Sequence, residues 1–558
     1  MLVPAALAVM GPDFPQGHDA TAHLTHMYRF DRAFEQGQIP VRWVEGIRDG
    51  VGQPLFNFYQ VGFYYAVELP HQLGMPLSSA FRATPVFLWW LAALFSWLWL
   101  RPLGLAAATA GSLSFALSPY LIVDVFVRAA YPEFAAIAFA VGTIWASDAF
   151  LRTGGRWYFA LTSVLVALTL LSHLPATLIA SPAVAAAIGT SVAFDGTRRT
   201  RLRPLLGAAA LGVGLASFYV MPALLEISLV KIRGLTTKWF DFHQHFVPAS
   251  LWTRYVWSYE WNYGGSSVTK PDDLMPLRVG PFQWVALVGA TAIVGWAVVR
   301  RTWSPRATAS AAWLVVAALS LFMMHARSVA VWEAIGPLAF IQFPWRFFLL
   351  TSIACSALLA LLVSAVRTPR ARTIVLLAIV AGLLHLYPRR LHPATRLSAA
   401  EMNIDNAAWA QTADAKRLGH DEPSYDPSGS ERGPAVDRRW TISDGRAAVH
   451  ALRTDDARLT LRVTAEEPSI FRLHMRMFPG WRIQLDDAPA AVTRVPVDGY
   501  MALTVPPGTH VVDARFDNTP VRTTANAVTL MSALTLAIVV LRRRSGAAVS
   551  EAERRRAA

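Results

Sequence analysis

The chain of 558 residues holds one cysteine, Cys355, and four lysines, Lys231, Lys238, Lys270 and Lys416. A single thiol allows no disulfide framework and no cysteine-based metal site. Charge as a whole is scarce. Asp, Glu, Lys and Arg make up 16% of residues, against about 25% in soluble domains. That shortage, with 54% hydrophobic residues and a mean hydropathy of +0.36, excludes a soluble globular domain and a disordered chain. The net charge of +14 is therefore carried by arginine. Such an Arg-over-Lys bias fits a GC-rich bacterial genome.

What is present is a series of apolar blocks, near 80–100, 104–121, 132–150, 157–172, 175–193, 205–224, 282–299, 308–324, 344–366, 371–388 and 524–541. Each approaches the length of about 20 residues that crosses a bilayer. Leu2–Met10 is apolar but too short to span. It lacks the basic flank of a cleavable signal peptide, and its shortness implies either a chain that starts inside its first helix or a start codon further upstream. Arginines cluster at Arg152 and Arg156, at Arg198 to Arg203, at Arg300 to Arg306, at Arg367 to Arg372, and at Arg542 to Arg544 and Arg554 to Arg556. They fall on every second connection. By the positive-inside rule these connections are cytoplasmic, and the basic charge reports topology rather than nucleic-acid binding. The external segments are then 11–79, 122–131, 225–281, 325–343 and 389–523, with a short turn at His173. This requires Phe56–Gly74, with Glu68, Pro70 and His71, to lie on or re-enter the membrane surface.

Residues 395–445 read as irregular. From 447 onward, alternating runs such as RLTLRVTA, IFRLHMRMF, YMALTVP and HVVDARF are separated by turn residues. That pattern predicts an antiparallel β-sandwich. The expected fold is a mainly α polytopic membrane protein of about 12 transmembrane helices. It comprises a transmembrane domain over 1–388, an extracytoplasmic β-rich domain over 389–523, a last helix over 524–541 and a basic cytoplasmic tail over 542–558.

The unusual polar residues sit in the external segments. Asp19 precedes a helical stretch closed by Gly37 and Pro40. It can cap that helix, present a carboxylate at the membrane surface, or do both. His23 and His26 follow on the same face, so Asp19, His23 and His26 could bind a metal, although packing of the two rings is the commoner outcome. In SPYLIVDVFVRAAYPEF, Asp124, Arg128 and Glu133 lie within ten residues. Asp124 and Arg128 have the spacing of a helical ion pair, yet ionisable groups at a membrane edge are costly and often functional. His173 stands in LSHLP before a helix. Segment 225–281 is dense in aromatics, among them Trp239, Trp257 and Tyr263. They suit an interfacial belt or a platform for sugar rings or a polyprenyl chain. Arg346, after Pro344, either snorkels to the interface or clamps a phosphate.

In sequence, GHDATAH, GQIPVRW and GQPLFNFY resemble the first external loop of bacterial GT-C-type membrane glycosyltransferases. The resemblance is closest to the YfhO-like proteins known as 6-pyruvoyl-tetrahydropterin synthase-related. DVFVRAAYPE, LSHLP, FYVMPALLE, WSYEWNYGGS, IQFPWR and FPGWRIQLD are similar in the same order, so the resemblance covers nearly the whole chain. It implies a catalytic Asp in the first external loop, matched by Asp19, and a second acidic position after the third span, matched by Asp124. It also implies a sugar donor linked to polyprenyl phosphate and a cell-envelope glycan, lipid or protein as acceptor. The tandem acidic pair of oligosaccharyltransferases is absent. The pterin label implies no pterin chemistry in a polytopic chain.

The expectation is thus an inverting transferase on the outer face of the bacterial inner membrane. Asp19, Asp124 and Glu133 are its catalytic candidates. His23, Arg128, His173, Trp257, Tyr263 and Arg346 are its substrate-binding candidates. No cofactor is predicted, and a divalent cation is left open. Membrane lipids are partners and nucleic acid is not. A flippase or transporter of a lipid-linked glycan and a non-catalytic envelope scaffold are the alternatives.

Overall fold

The computed structural model describes residues 3–11, 13–46, 51–253, 275–387, 395–406, 409, 423–431 and 438–541. Among them, eight helices are long and apolar enough to cross a membrane. Two further pairs, Leu105–Ala116 with Pro119–Arg128 and Gly196–Leu215 with Ser217–Leu225, are bent by 40° and 71°, and each pair can form one broken span. Arg156–Ser172 is a shorter apolar helix. Every apolar block of the sequence is therefore a helix, but the expected count of about 12 spans falls to eight, or ten with the bent pairs. The bends explain much of the difference, because a break at Leu117–Ser118 or Ala216 interrupts a continuous apolar run. Prolines stand in the first turn of Tyr131–Thr153, Leu174–Phe194, Pro281–Arg300, Pro305–Met324 and Pro369–Leu386. A missing N–H costs nothing at that position.

The bundle is layered. Tyr131–Thr153 and Pro344–Ala365 are almost wholly enclosed, whereas Pro369–Leu386 and Pro520–Leu541 present most of their apolar surface outward, as a lipid-facing helix does. Two of the arginine clusters meet on one face: Arg201 Nη1 donates to the Leu151 and Arg152 carbonyls at 2.6 and 2.9 Å. The segment Phe56–Gly74 contains the helices Leu55–Phe58 and Gly62–Gln72. The second has 11 residues and rises about 16 Å, roughly half a bilayer core. It packs beneath the first-loop helix Ala20–Glu35 through stacked Phe30 and Tyr64 and an edge-on Phe30–Tyr65 pair.

The C-terminal strands form two antiparallel sheets. One runs Trp440–Asp444, Ser469–Arg476, Tyr500–Val505, Thr493–Arg494 in spatial order. The other runs Ala447–Asp455, Arg458–Ala465, Gly508–Phe516, Trp481–Leu485, Ala488–Pro489. Alternate residues of both, including Leu461, Val463, Phe471, Leu473 and Val512, fill one core, as the period-2 pattern requires. Two strands fall in the stretch expected to be irregular: Trp440–Asp444, and Arg396–Leu397, which pairs with Phe14–Pro15 of the first loop. The last helix begins at Pro520, four residues earlier than expected, so little linker separates it from the sandwich.

The sandwich is bound to the first loop. Trp43 is fully buried against Phe478, Trp481 and Phe516. Glu45 pairs with Arg439, and Gln36 exchanges hydrogen bonds with Asp456. Beneath lies a buried polar knot. Arg42 donates to Asn57 (3.0 Å), the Phe218 carbonyl (3.0 Å) and Asn526 (3.2 Å). Asn57 and Arg522 both donate to Glu226 at 2.9 Å. The first loop, the middle of the chain and the last helix are locked together there.

Candidate functional site

The segment expected to be the external loop 122–131 is not a loop. Pro119–Val123 is helical and continues as a π-helical turn over Asp124–Arg128. Ala129 then takes a left-handed conformation, φ 54°. A π turn inserts one residue and re-aims the downstream backbone. Here it exposes the Val127 and Arg128 carbonyls, which accept from the His18 and Asp19 amides at 2.8 and 2.9 Å. The close approach depends on Gly17, at φ +34°, whose missing Cβ would lie 2.7 Å from the Ala129 Cβ. His18, buried in this seam, is held neutral by desolvation and by the nearby Arg128, its pKa lowered to about 3.

This seam puts Asp19 at the start of the helix Ala20–Glu35. Its side chain makes no capping hydrogen bond. The residue is exposed and lines a cavity of about 910 Å³. The cavity brings together His23, Arg128, Glu133, His173 and Arg346 with Asp19. Its wall includes Leu178, Leu224, Ile232, Leu235, Phe240 and Phe340, and Tyr425 closes on it from the segment that leads to the sandwich.

The charged end is a closed network. Arg128 pairs with Asp124 and, through Nη2, with Glu133 at 2.8 Å. Arg346 Nε lies 2.9 Å from the same Glu133 oxygen. The Tyr120 hydroxyl donates to the other Glu133 oxygen and accepts from Arg128 at 3.2 Å. Each guanidinium also covers a ring, Arg128 over Trp345 at 4.4 Å and Arg346 over Phe343 at 4.9 Å. Arg346 Nη1 donates to the Ile341 carbonyl and to Gln342. Arg346 is thus turned inward, 7% exposed, rather than snorkelling.

Two expectations change. Asp124 is fully buried and does not line the cavity. It forms the helical ion pair with Arg128, a guanidinium that does line the cavity. Glu133 lines the cavity, but its oxygens serve Tyr120, Arg128 and Arg346. The histidines of the first loop pack instead of converging on an ion. His23 Nδ1 lies 2.7 Å from the Tyr64 hydroxyl, and His26 stacks edge-on to Tyr59. His173 Nδ1 accepts from the Ala176 amide at 3.0 Å and caps Leu174–Phe194. Trp257 and Tyr263 lie outside the described residues. Tyr120, Gln342, Phe343, Trp345 and Tyr425 were not singled out from sequence. For Gln342, Phe343 and Trp345 the IQFPWR run was the visible signal, and Tyr120 lay within SPYLIVDVFVRAAYPEF, whereas Tyr425 had none.

No family model matches the chain, and no curated protein matches it. Among solved structures, it is similar to two cryo-EM structures of the arabinofuranosyltransferase AftD from mycobacteria, the second a mutant form. Identity is 17% in each case, with TM-scores of 0.38 and 0.41. The alignments cover 71% of this chain and 27% and 28% of those chains. The chain thus spans little more than a quarter of their length.

Proposed function

We propose that the protein is a GT-C-type membrane glycosyltransferase. It transfers a sugar from a polyprenyl-phosphate donor to a cell-envelope acceptor on the outer face of the bacterial inner membrane, with inversion. The observation that carries this reading is one cavity with an exposed carboxylate, Asp19, and two buried guanidiniums, Arg128 and Arg346, on its wall. In this reading the acceptor hydroxyl oxygen attacks the anomeric carbon, and its proton passes to Asp19 as general base. The bond from that carbon to the phosphate oxygen breaks, and the electron pair leaves with the polyprenyl phosphate. Arg128 and Arg346, preorganised by Asp124 and Glu133, meet the charge that grows on the leaving phosphate. The apolar wall suits the first isoprene units, and the rings near His23 and Trp345 suit a sugar face.

The test is release of polyprenyl phosphate by the full chain in nanodiscs, read by mass spectrometry against a panel of polyprenyl-phosphate sugars and envelope glycans. Wild type should release it, and Asp19→Asn should lower the rate by roughly 10²–10⁴-fold. Equal rates for the two proteins would refute the base assignment. Movement of the labelled lipid across the bilayer without sugar transfer would favour a flippase instead.

A further inference from the structure

A second cluster of ligand-type side chains lies outside the cavity, between the helices Ala20–Glu35 and Gly62–Gln72. Asp31 and Glu35 are one turn apart on the first, and Glu68 and His71 one turn apart on the second. Among the described residues, Asp31, Glu35 and His71 are the one set of three whose ligand atoms all lie within 4.8 Å of each other. Glu-x-x-His on one helix, facing carboxylates on another, is how helical bundles present a carboxylate and an imidazole to a metal.

Two further observations point to a cation rather than to a chance gathering of acids. Glu68 is 2% exposed. Its Oε1 accepts from Gln72 at 2.6 Å, while its buried Oε2 has no hydrogen-bond partner. Glu68 lies one turn before His71 on the same helix, so the two share a face. The second observation is the orientation of His71. Its Nδ1 lies 2.8 Å from the Met75 carbonyl, which can only accept, so Nδ1 carries the hydrogen. In the neutral ring, Nε2 then directs a lone pair at Asp31 Oδ1, 3.3 Å away. A backbone carbonyl on the far nitrogen is the usual support of a metal-bound histidine. Two ligands at about 2.1 Å from a common ion sit roughly 3 Å apart.

We propose that Asp31, Glu35, Glu68 and His71 form a binding site for a divalent cation that pins the short helix Gly62–Gln72 to the first-loop helix. Three carboxylates and one imidazole suit Mn²⁺ or Zn²⁺ better than an all-oxygen Ca²⁺ site. Asp31 is twelve residues along the helix from Asp19, about 18 Å at 1.5 Å per residue. The ion would therefore not touch the reacting atoms. It would hold the helix that carries Tyr64, the partner of His23.

The full chain, purified in nanodiscs with a tag free of histidine, is stripped with EDTA and dialysed against Mn²⁺. Metal content is then measured by mass spectrometry and the site by Mn²⁺ electron paramagnetic resonance. The expected result is one ion per chain, retained by His23→Ala and His26→Ala. Glu35→Gln with His71→Gln should bind at least roughly tenfold more weakly while unfolding at the wild-type temperature in EDTA. Glu35 is exposed, so its substitution leaves the packing intact. Absence of bound metal in wild type, or full retention in the double variant, would overturn the proposal. The second outcome would mean that His71 and Asp31 are an ordinary imidazolium–carboxylate pair.

Discussion

Replacing each acid of the site by its amide should separate the carboxylate proposed as base from those that hold the scaffold. Glu133 is 1% exposed and contacts two guanidiniums, at 2.8 and 2.9 Å, and the Tyr120 hydroxyl. Its negative charge and that of Asp124 balance those of Arg128 and Arg346. Glu133→Gln leaves the buried cluster with one uncompensated positive charge at almost constant volume. Breaking a buried pair from one side costs about 3–5 kcal/mol. Asp124→Asn, with the fully buried Asp124 paired to Arg128, belongs in the same range. Asp19→Asn should change stability by less than about 0.5 kcal/mol, because the residue is exposed and asparagine keeps its size and is an equally good residue at a helix start. The assay is unfolding in detergent followed by intrinsic fluorescence, for which the 20 tryptophans give ample signal. Destabilisation of about 3–5 kcal/mol at Glu133, with none at Asp19, is expected. A Glu133→Gln protein as stable as wild type would refute the charge accounting, and a destabilised Asp19→Asn would refute the division of roles.

The same geometry sets other outcomes. In a Cys355→Ala background, Ile39→Cys (75% exposed) and Leu452→Cys (45%) should label on intact cells with an impermeant thiol reagent, and Thr200→Cys only after lysis. Labelling of all three before lysis would overturn the topology. Burial and then Asp456 raise the Glu45 carboxyl to about 8 from its ordinary 4.5, with Arg439 opposing. The folded state thus holds a proton that the unfolded chain releases. The contribution is complete below about pH 4.5 and is lost as pH rises towards 8. Thermal midpoints of wild type between pH 5 and 9 should fall relative to Glu45→Gln, and superimposable curves would count against this. Trp43→Ala should destabilise by about 3–5 kcal/mol and render the sandwich more sensitive to limited proteolysis; unchanged digestion would show that the loop does not hold it. Gly17→Ala should, by the 2.7 Å clash with Ala129, weaken the first-loop seam, read as faster amide exchange at Asp19.

Helix positions and the sandwich were legible because apolar run length and period-2 alternation are local properties. Asp19, Arg128, Glu133, His173 and Arg346 could be singled out because ionisable groups beside apolar spans are rare, and all five line one cavity. The spacing of Asp124 and Arg128 offered the ion pair that forms, but it could not choose between that pair and a cavity-facing carboxylate. A π turn shifts the helical period by one residue, and no local pattern announces whether a carboxylate faces a cavity or its neighbouring arginine. The 71° bend between Gly196–Leu215 and Ser217–Leu225 was not legible, because composition does not register a bend. Trp440–Asp444 escaped notice because it is a five-residue edge strand, paired on one side only, and none of its residues is fully buried. The buried Glu226–Arg522 pair was invisible for another reason: its members are 296 positions apart.

That separation has a temporal counterpart. Arg42 donates to Asn526, 484 residues further along the chain. At roughly 5–20 residues per second of synthesis, about 25–100 s pass between the emergence of the two partners. Throughout that interval the first loop carries a buried-type arginine and Trp43 without the surface that later receives them. The polar knot of Arg42, Asn57, Glu226 and Arg522 can therefore close only after the last helix has been made. A nascent chain stalled before Pro520 should hold the first loop in a chaperone-accessible state.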